Sequence, residues 1–339
     1  MSDGYDAILV VSFGGPEKRE DVIPFLENVL RGKPVPRERL LEVAEHYYHF
    51  GGVSPINSQV RDFIGALEPE LRRNRIDLPI YWGNRNWNPL LPDTLKQMRD
   101  DGIRRALAYF TSAYSSYSGC RQYRENIDQA RTVVGPDAPT VDKIRVFYNH
   151  PQFIAANVDR IRTAFDELPD SERSIADVAF TAHSIPMTMA NHCEYVDQLL
   201  ETSRLIAEEL KLPPERWKLV YQSRSGRPTD PWLEPDILDH LKCLKNQGRT
   251  SVVIAPIGFL SDHIEILFDL DEQARDTGRE LGLAVSRAGT VGSHPQFVSM
   301  VRELIQERLG LVSERQVLGN RGASHDTCPT DCCLYTYNR

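Results

Sequence analysis

The sequence lacks long hydrophobic runs and concentrations of basic residues. No segment approaches the roughly 20 apolar residues needed to cross a bilayer, and residues 1–6 lack the basic and apolar stretches of a signal peptide. Forty basic and 48 acidic residues give a formal net charge of −8. The scattered basic residues do not form the positive face that nucleic-acid binding requires. We expect a cytoplasmic protein with no nucleic-acid partner and no integral membrane association.

Cysteine is also scarce, with six residues in a chain of 339. In a chain of this length without a secretory signal, six cysteines do not indicate a disulfide framework. Three of them, Cys328, Cys332 and Cys333, lie close together near the end of the sequence. Crowded thiols in a reducing compartment indicate a metal or cluster site.

Short apolar segments alternate with amphipathic ones along almost the whole chain. The amphipathic segments, such as 91–99 and 195–210, space their apolar residues by three and four, which predicts helices. This alternation is typical of parallel sheets covered by helices on both faces. The predicted strands are 5–13, 78–83, 103–111, 141–148, 176–183, 217–223, 250–257 and 283–288.

The length and the strand positions predict two similar doubly wound α/β domains, with four strands on each side of about residue 149. We expect domains at 1–149 and 150–311, followed by a polar, cysteine-bearing tail at 312–339 that lies outside both cores. Ligands of open α/β sheets bind beyond the carboxyl ends of the strands. Polar residues that directly follow strands are therefore the candidates for chemistry.

One such residue is His183, at the end of the predicted strand 176–183 and shortly before Pro186, which stops regular structure. A single histidine at a strand end is more often a hydrogen-bonded structural group than a functional one. By itself, this position does not establish a site.

A second candidate is a set of carboxylates after the predicted strand 250–257. In a helix, Glu265, Asp269 and Glu272 would form one row along a single face. Like charges at this spacing repel one another unless a cation lies among them, so the row is compatible with a metal site. Helix capping and a solvated acidic face are ordinary alternatives.

Taken together, these two segments resemble the ferrochelatase family. TAHSIP is followed in the sequence by PIGFLSDHIEILFDLDEQA, and further matching blocks are SFGGP, GGVSPIN, GNRNW, SAYSSYSGCRQY and YQSRSG. The resemblance covers roughly residues 5–310, in one order and without large insertions. It is greatest to the actinobacterial type, whose members are coproporphyrin ferrochelatases.

The resemblance implies an enzyme of haem biosynthesis that inserts Fe²⁺ into a porphyrin held between two chelatase-type domains. Insertion requires two pyrrole protons to leave, and an imidazole accepts protons near neutral pH. A carboxylate is a hard oxygen ligand that holds and releases ferrous iron. By resemblance, these catalytic and metal-binding groups are His183 and Glu265, with Asp269 and Glu272 supplying the ion. Whether His183 acts mainly as base or as ligand is open.

Five further positions match residues that line the porphyrin cleft of the family or reach its propionates: Arg31, His46, Tyr47, Ser54 and Tyr123. Arg31 and Tyr123 suit carboxylate recognition through charge-assisted and hydroxyl hydrogen bonds. Arg31 could instead cap a helix, and Tyr47 could be ordinary packing. Phe13 stands where some relatives have a tyrosine that ligates the product iron, so that ligation is excluded here.

The segment 31–49 bears on the choice of porphyrin. It has no exposed run of large apolar residues, whereas a membrane-docked enzyme for protoporphyrin IX, the alternative substrate, would be expected to show an apolar lip. A basic rim better fits coproporphyrin III, which carries four propionates. The basic and histidine residues of this rim are Arg31, Lys33, Arg37, Arg39, His46 and His49.

Several ferrochelatases carry a 2Fe–2S cluster, held by a C-terminal cysteine group and one internal cysteine, and such a cluster needs four ligands. The resemblance implies a cluster on Cys328, Cys332 and Cys333, with Cys193 as the preferred fourth ligand and Cys120 close behind. Some relatives place the internal ligand early in the helix near residue 151, where this chain has Ala156. The alternatives are a zinc site that includes His325 and a tail without metal.

A rival function of another class is a non-catalytic haem- or porphyrin-binding protein or iron–sulfur sensor on the same scaffold. Such a protein would keep the cleft but lose the acidic row or the histidine. His183, Glu265, Asp269 and Glu272 are all present, which favours the enzyme. A cobalt chelatase of the same fold is less favoured, because those relatives lack most of the matching blocks.

Overall fold

Two parallel four-stranded sheets organise the chain in the computed structural model, which describes residues 4–32, 35–227 and 229–335. The first sheet has the strand order β2-β1-β3-β4 and the second has the order β6-β5-β7-β8. Both have helices on their faces, as the alternation of segments predicts. The strands are β1 (Ala7–Ser12), β2 (Ile80–Asn84), β3 (Arg105–Phe110), β4 (Thr140–Lys143), β5 (Asp177–His183), β6 (Trp217–Gln222), β7 (Ser251–Ala255) and β8 (Ala284–Arg287).

The central strands are almost entirely apolar because both of their faces are covered. All six residues of β1 are buried, as are the first six of β5. The predicted strand 141–148 was wrong beyond Lys143, where β4 ends. Ile144 still donates its N–H to the carbonyl of Ala108 on β3 (3.0 Å), and residues 145–148 then leave the sheet but stay buried, with Phe147 packed in the core. Most of these residues are apolar because they are buried, and their sequence therefore resembles that of a buried strand although they lie outside the sheet.

Helices of the first half surround its sheet, and the predicted helix 91–99 corresponds to α4. They are α1 (Val22–Val29), α2 (Arg37–His49), α3 (Ile56–Arg73), α4 (Leu91–Asp100) and α5 (Gln122–Val134). The predicted helix 195–210 corresponds to α9 in the second half. The helices there are α6 (Pro151–Glu167), α7 (Asp170–Arg173), α8 (Met187–Ala190), α9 (Tyr195–Glu209), α10 (Ile237–Asn246), α11 (Ile264–Ile266), α12 (Arg275–Leu281) and α13 (Pro295–Arg308).

Two π-helical segments interrupt this regular pattern. Tyr117–Arg121 runs directly into α5, and Leu267–Ala274 joins α11 to α12. Hydrogen bonds from each residue to the fifth along the chain are rare and frequently occur at functional sites. One of these segments carries Cys120 and the other carries Asp269.

An aromatic cluster joins the two halves. Phe63 from α3, Tyr109 from β3 and Phe153 from α6 pack around Phe297 from α13, with ring centroids 5.9–6.5 Å from that of Phe297. The core thus continues across residue 149 and fixes the two sheets relative to one another. The domain boundaries at 1–149, 150–311 and 312–339 remain a prediction.

The tail contains no helix or strand within its described part, residues 312–335. It nevertheless packs on the body of the protein, because Cys333 is only 5% exposed. The backbone N–H of Leu318 donates to the carbonyl of Asn149 (2.9 Å). Arg145, in a buried bidentate ion pair with Glu307, also donates to a tail carbonyl. Across the described ranges, no helix combines the length and apolar character needed to cross a membrane.

Candidate active site

The carboxyl ends of the two sheets face one another. After β3, the hydroxyl of Tyr114 donates to the carbonyl of Ile257, which follows β7 (3.0 Å). The next residue along, Ser115, donates its backbone N–H to the side chain of Gln198 on α9 (2.7 Å). These contacts bring the loops that follow β3, β5 and β7 into one region, which is where ligands bind in sheets of this kind.

His183 ends β5 and is oriented by its neighbours. The hydroxyl of Tyr195 donates to its carbonyl (3.1 Å), and its ring Nδ1 is hydrogen-bonded to the carbonyl of Ser184. A carbonyl only accepts, so Nδ1 carries the proton, and in the neutral ring Nε2 carries a lone pair. This Nε2 lies 3.5 Å from a carboxylate oxygen of Glu265. A proton or a metal ion placed between these two electron-rich atoms would interact favourably with both.

Glu265 reaches His183 because the loop after β7 lies directly on the end of β5. The N–H of Gly258 donates to the carbonyl of Thr181 (3.0 Å). A Cβ at Gly258 would stand 2.6 Å from both Cα and Cβ of Ala182. Only glycine allows this approach, so Gly258 lets the loop that leads to Glu265 pack closely on the end of β5, which carries His183.

The predicted acidic row lies on a π-helix and not on the regular α-helix that its spacing suggests. Glu265 precedes the segment Leu267–Ala274, which contains Asp269 and Glu272. Each carboxylate meets a different part of the protein. Asp271, which the row omits, forms ion pairs with Arg287 on another face (2.7 Å).

Asp269 is half-buried and is held by side chains at the end of β6. It accepts hydrogen bonds from the hydroxyl of Ser223 and from the amide of Gln222 (3.5 Å), both at the end of β6. Burial raises the pKa of Asp269 to about 6, although the Ser223 hydrogen bond lowers it, and the charge of Glu265 raises it further. A cation among these carboxylates would offset both the burial of the Asp269 charge and its repulsion by Glu265.

The N-terminal half closes over this row through α2. The ring of His46 stacks on Phe268 with 3.9 Å between centroids, and Nε2 of His49 lies 2.7 Å from a carboxylate oxygen of Glu272. Burial lowers the pKa of His46, and burial followed by the Glu265 charge raises the pKa of Tyr47. His46 is therefore held neutral and Tyr47 keeps its hydroxyl proton beside the carboxylates.

Tyr123 lies at the start of α5 in the N-terminal half and is only 4% exposed. Its ring stacks on Phe110 (5.1 Å), and the guanidinium of Arg85 lies 4.5 Å above it and 5.5 Å from the ring of Phe13. No role was predicted for Arg85. Its position directly after β2, at the ligand-binding edge, was the available signal.

The remaining predicted porphyrin contacts, Arg31 and Ser54, belong to the N-terminal wall. Arg31 is exposed and donates to the side chain of Asn28 at the end of α1. Ser54 is 4% exposed, and its N–H donates to the carbonyl of Pro16 in the turn after β1 (2.8 Å). Within the described ranges, neither residue hydrogen-bonds to the His183–Glu265 pair.

A model of the family described as Ferrochelatase matches residues 5–309. The chain belongs to the ferrochelatase family. A protein of Rhodopirellula baltica named ferrochelatase is 58% identical and covers 99% of this chain and 95% of its own length. A protein of Streptomyces griseus named coproporphyrin III ferrochelatase is 50% identical, with coverage of 97% and 93%. The chain is therefore a metal chelatase of haem biosynthesis with Fe²⁺ as its metal substrate, which favours the enzyme over the sensor alternative.

The solved structure of SirB from Bacillus subtilis with Fe³⁺ has a TM-score of 0.52 with this ferrochelatase. It is 13% identical and covers 90% of this chain and 97% of its own. Similarity at this identity concerns the fold alone. It confirms the predicted α/β architecture of two chelatase-like sheets.

A cluster of thiols lies apart from the His183–Glu265 pair of this ferrochelatase. The sulfur of Cys120 is 4.0 Å from that of Cys328, and the sulfurs of Cys332 and Cys333 are 3.6 Å apart. Ligand atoms of His325, Cys328 and Cys332 all lie within 4.8 Å of one another. A hydrogen bond from Cys120 lowers the pKa of the Cys328 thiol, and thiolate is the form that binds metals.

Proposed function

We propose that this ferrochelatase inserts Fe²⁺ into coproporphyrin III to give coproheme. The observation that carries the proposal is the pairing of His183 with Glu265, 3.5 Å apart, beyond the carboxyl ends of the neighbouring strands β5 and β7. The name and 50% identity of the Streptomyces griseus relative support this choice of porphyrin. Localisation to the cytoplasm remains a prediction.

In the proposed reaction, the lone pair on Nε2 of His183 accepts a pyrrole proton. The hydrogen bond from Nδ1 to Ser184 fixes the ring for this transfer. Glu265 holds the ferrous ion, because carboxylate oxygen is a hard, exchangeable ligand. The two groups act on the same centre as protons leave and the metal enters, and His183 contacts the ion once its proton has been passed on.

Asp269 and Glu272 form the proposed supply route for the ion. Glu272 is the outer group, 37% exposed, and Asp269 is the inner one, half-buried and hydrogen-bonded at the end of β6. An ion passing from Glu272 to Asp269 and then to Glu265 exchanges water for carboxylate oxygen in steps. Stepwise exchange lowers the cost of removing the hydration shell all at once.

The porphyrin would lie between the wall that carries Tyr123 and the wall that carries His183. His46, Tyr47 and Ser54 contribute to the N-terminal side of this cleft, as the family resemblance implies. Arg85, above Tyr123, adds a cation that suits a propionate.

Charge on the rim supports coproporphyrin III over protoporphyrin IX. Arg31, Arg37 and Arg39 are all exposed in the described structure. Arg37 and Arg39 pair with Glu27 and Glu42 at the surface (2.5 and 2.8 Å), and such pairs contribute little and exchange readily. Lys33, also expected on this rim, lies outside the described residues.

The substrate proposal is tested by measuring insertion rates on the two porphyrins side by side. We expect kcat/KM to be higher for coproporphyrin III, and Arg31→Glu to lower it for this porphyrin more than for protoporphyrin IX. Arg99→Glu, on α4 and remote from the rim, is the control. A higher kcat/KM for protoporphyrin IX would overturn the substrate assignment but not the chemistry.

We also propose that the tail carries a 2Fe–2S cluster on Cys328, Cys332, Cys333 and one internal cysteine, for which Cys193 and Cys120 are the candidates. The donors fit such a group, since two sulfur pairs are 4.0 and 3.6 Å apart. Bound to one tetrahedral metal about 2.3 Å away, two sulfurs lie about 3.8 Å apart. The cluster would have a structural or sensing role and takes no part in the insertion steps above.

A further inference from the structure

We infer that Arg287 is a positioning residue for metal insertion, because it binds both ends of the chain segment that presents Glu265. We call this segment, residues 262–271, the carboxylate segment. The inference rests on the role proposed for Glu265 as the ligand that holds ferrous iron. Arg287 is the last residue of β8, and within the described ranges its hydrogen bonds and ion pairs do not include His183 or Glu265. It would therefore act through the residues that it binds.

One guanidinium group binds two aspartates. Nε and Nη2 of Arg287 donate to the carboxylate of Asp271 (2.9 and 2.7 Å), and Nη1 donates to the carboxylate of Asp262 (3.1 Å). The planar fork of donors in arginine allows this two-sided binding, which a lysine ammonium does not reproduce. The side chain of Arg287 is only 11% exposed, and those of the two aspartates are 19% and 20% exposed. Breaking such pairs leaves partly buried charges without partners, so the contacts resist opening.

The two aspartates lie at opposite ends of the carboxylate segment. Asp262 comes three residues before Glu265, and Asp271 comes two residues after Asp269. Since both ends bind the same guanidinium, the chain between them is held as a closed loop. The other two carboxylates of the segment, Glu265 and Asp269, lie on the side of the active site.

The π-helix Leu267–Ala274 is attached to both outer strands of the second sheet. Asp269 accepts hydrogen bonds from side chains at the end of β6, and Asp271 binds Arg287 at the end of β8. The strand order β6-β5-β7-β8 places β5, which ends at His183, between these two attachments. The π-helix and the residues just before it are thus held across the carboxyl edge of the sheet. Removing Arg287 would free one side.

The entry to the carboxylate segment is also bound to the N-terminal half. The backbone N–H of Asp262 donates to the side-chain oxygen of Gln59 on α3 (2.8 Å), while the carboxylate of the same residue binds Arg287. Asp262 therefore connects α3, β8 and the carboxylate segment at one point. A shift of this residue would move Glu265 relative to both halves of the protein.

The charge of Arg287 offers a different explanation that kinetics can separate from positioning. A cation near the route of Fe²⁺ repels the ion, but Arg287 faces two carboxylates, and with both ionised the three groups together carry a charge of −1. An effect of charge alone would change the KM for Fe²⁺. Displacement of Glu265 would instead lower kcat, because its interaction with the ion matters most as the metal enters the ring.

Substitution of Arg287 tests the inference, with Arg216→Gln as the matched control. Arg216 forms a partly buried ion pair with Asp177 (2.7 Å) at the opposite, amino edge of the same sheet. For each variant, kcat and the KM for Fe²⁺ are measured anaerobically with coproporphyrin III, together with porphyrin Kd and unfolding in urea.

We expect Arg287→Gln to lower kcat by about 10- to 100-fold, the effect of displacing a reacting group by about 1 Å. The KM for Fe²⁺ and the porphyrin Kd should stay close to those of wild type. Arg216→Gln should lose stability, because it leaves Asp177 with one partner fewer, but it should keep the wild-type kcat.

Two further variants separate position from folding. Arg287→Lys keeps the charge without the two-sided fork, so it should recover only part of the lost kcat. Asp262→Asn weakens one attachment and leaves Asp271 bound to Arg287, so kcat should fall by less than in Arg287→Gln. If Arg287→Gln does not fold, unchanged kcat in both of these variants overturns the inference.

Glu265→Gln, measured in parallel, distinguishes failure of the inference from failure of the proposed function. Wild-type kcat in Arg287→Gln, with insertion lost in Glu265→Gln, overturns the role of Arg287 and leaves that of Glu265 standing. Wild-type kcat in Glu265→Gln overturns the proposed function and the inference with it. A lower KM for Fe²⁺ with unchanged kcat in Arg287→Gln, or an equal loss of kcat in Arg216→Gln, also contradicts positioning by Arg287.

Discussion

His183 presents its Nε2 to Glu265 across 3.5 Å, while its Nδ1 is bound to the carbonyl of Ser184. The Ser184 contact determines which nitrogen carries the lone pair. The pairing with Glu265 therefore brings together a base and an oxygen ligand that are unfavourable neighbours until a proton or a cation lies between them.

Glu272→Gln tests the supply route. Because Glu272 would meet the ion before insertion, its loss should raise the apparent KM for Fe²⁺ by about fivefold, the equivalent of roughly 1 kcal/mol, with little change in kcat. Steady-state rates under anaerobic conditions measure both constants. Glu280→Gln, an exposed carboxylate on α12, should change neither. A fall in kcat without a change in KM would place Glu272 in the chemical step instead.

Asp269→Asn should stabilise the protein in a manner that depends on pH. Burial raises the pKa of Asp269 from 3.8 to about 6, so ionisation costs more in the folded state than in the unfolded state. The stability of wild type therefore falls as pH rises from about 4 to about 6. The asparagine variant has no carboxyl group at this position to ionise, so its stability does not fall for this reason. The gain in unfolding free energy should be near zero at pH 4 and about 1–3 kcal/mol at pH 7.

Asp271→Asn is the control for that experiment. It lies in the same π-helix but pairs with the largely buried Arg287 (2.7 Å), so its loss leaves a cation with one partner fewer. At pH 7 this variant should be less stable than wild type. Equal effects of the two substitutions in urea titrations would contradict the environment assigned to Asp269.

Gly258→Ala should reduce both stability and turnover. The added Cβ would stand 2.6 Å from Ala182, and neither partner has a flexible end that could move aside. The loop must shift, at a cost of about 1–3 kcal/mol, and it carries Glu265 away from His183. Gly65→Ala, on α3 with open space around it, should instead stabilise slightly. If kcat of Gly258→Ala is unchanged, the position of this loop does not determine the rate of catalysis.

The fold was largely predictable because parallel sheets covered on both faces require apolar strands, and amphipathic helices alternate with them. His183 and Glu265 could be proposed because they follow β5 and β7, and polar groups gather at that edge of a sheet. The resemblance to the ferrochelatase family indicated that the two residues belong to one active site. Their distance could not be predicted, because it depends on the contact between Gly258 and Ala182.

Other features could not be predicted from the sequence because they depend on tertiary contacts or on backbone hydrogen bonds. Residues 145–148 are buried but lie outside the sheet, and composition does not distinguish a buried strand from a buried loop. The π-helical form of Leu267–Ala274 depends on backbone hydrogen bonds, so three-and-four spacing suggested a regular helix. Ser223 and Cys120 acquire their partners, Asp269 and Cys328, only through tertiary folding.

The most direct test of the central claim is anaerobic insertion of Fe²⁺ into coproporphyrin III by Glu265→Gln, with porphyrin affinity measured on the same protein. We predict a Kd within about threefold of wild type and an insertion rate lower by at least about 100-fold, the usual contribution of a positioned proton-transfer or ligand group. His183→Ala should behave in the same way. Wild-type rates of metallation in both variants would contradict the account.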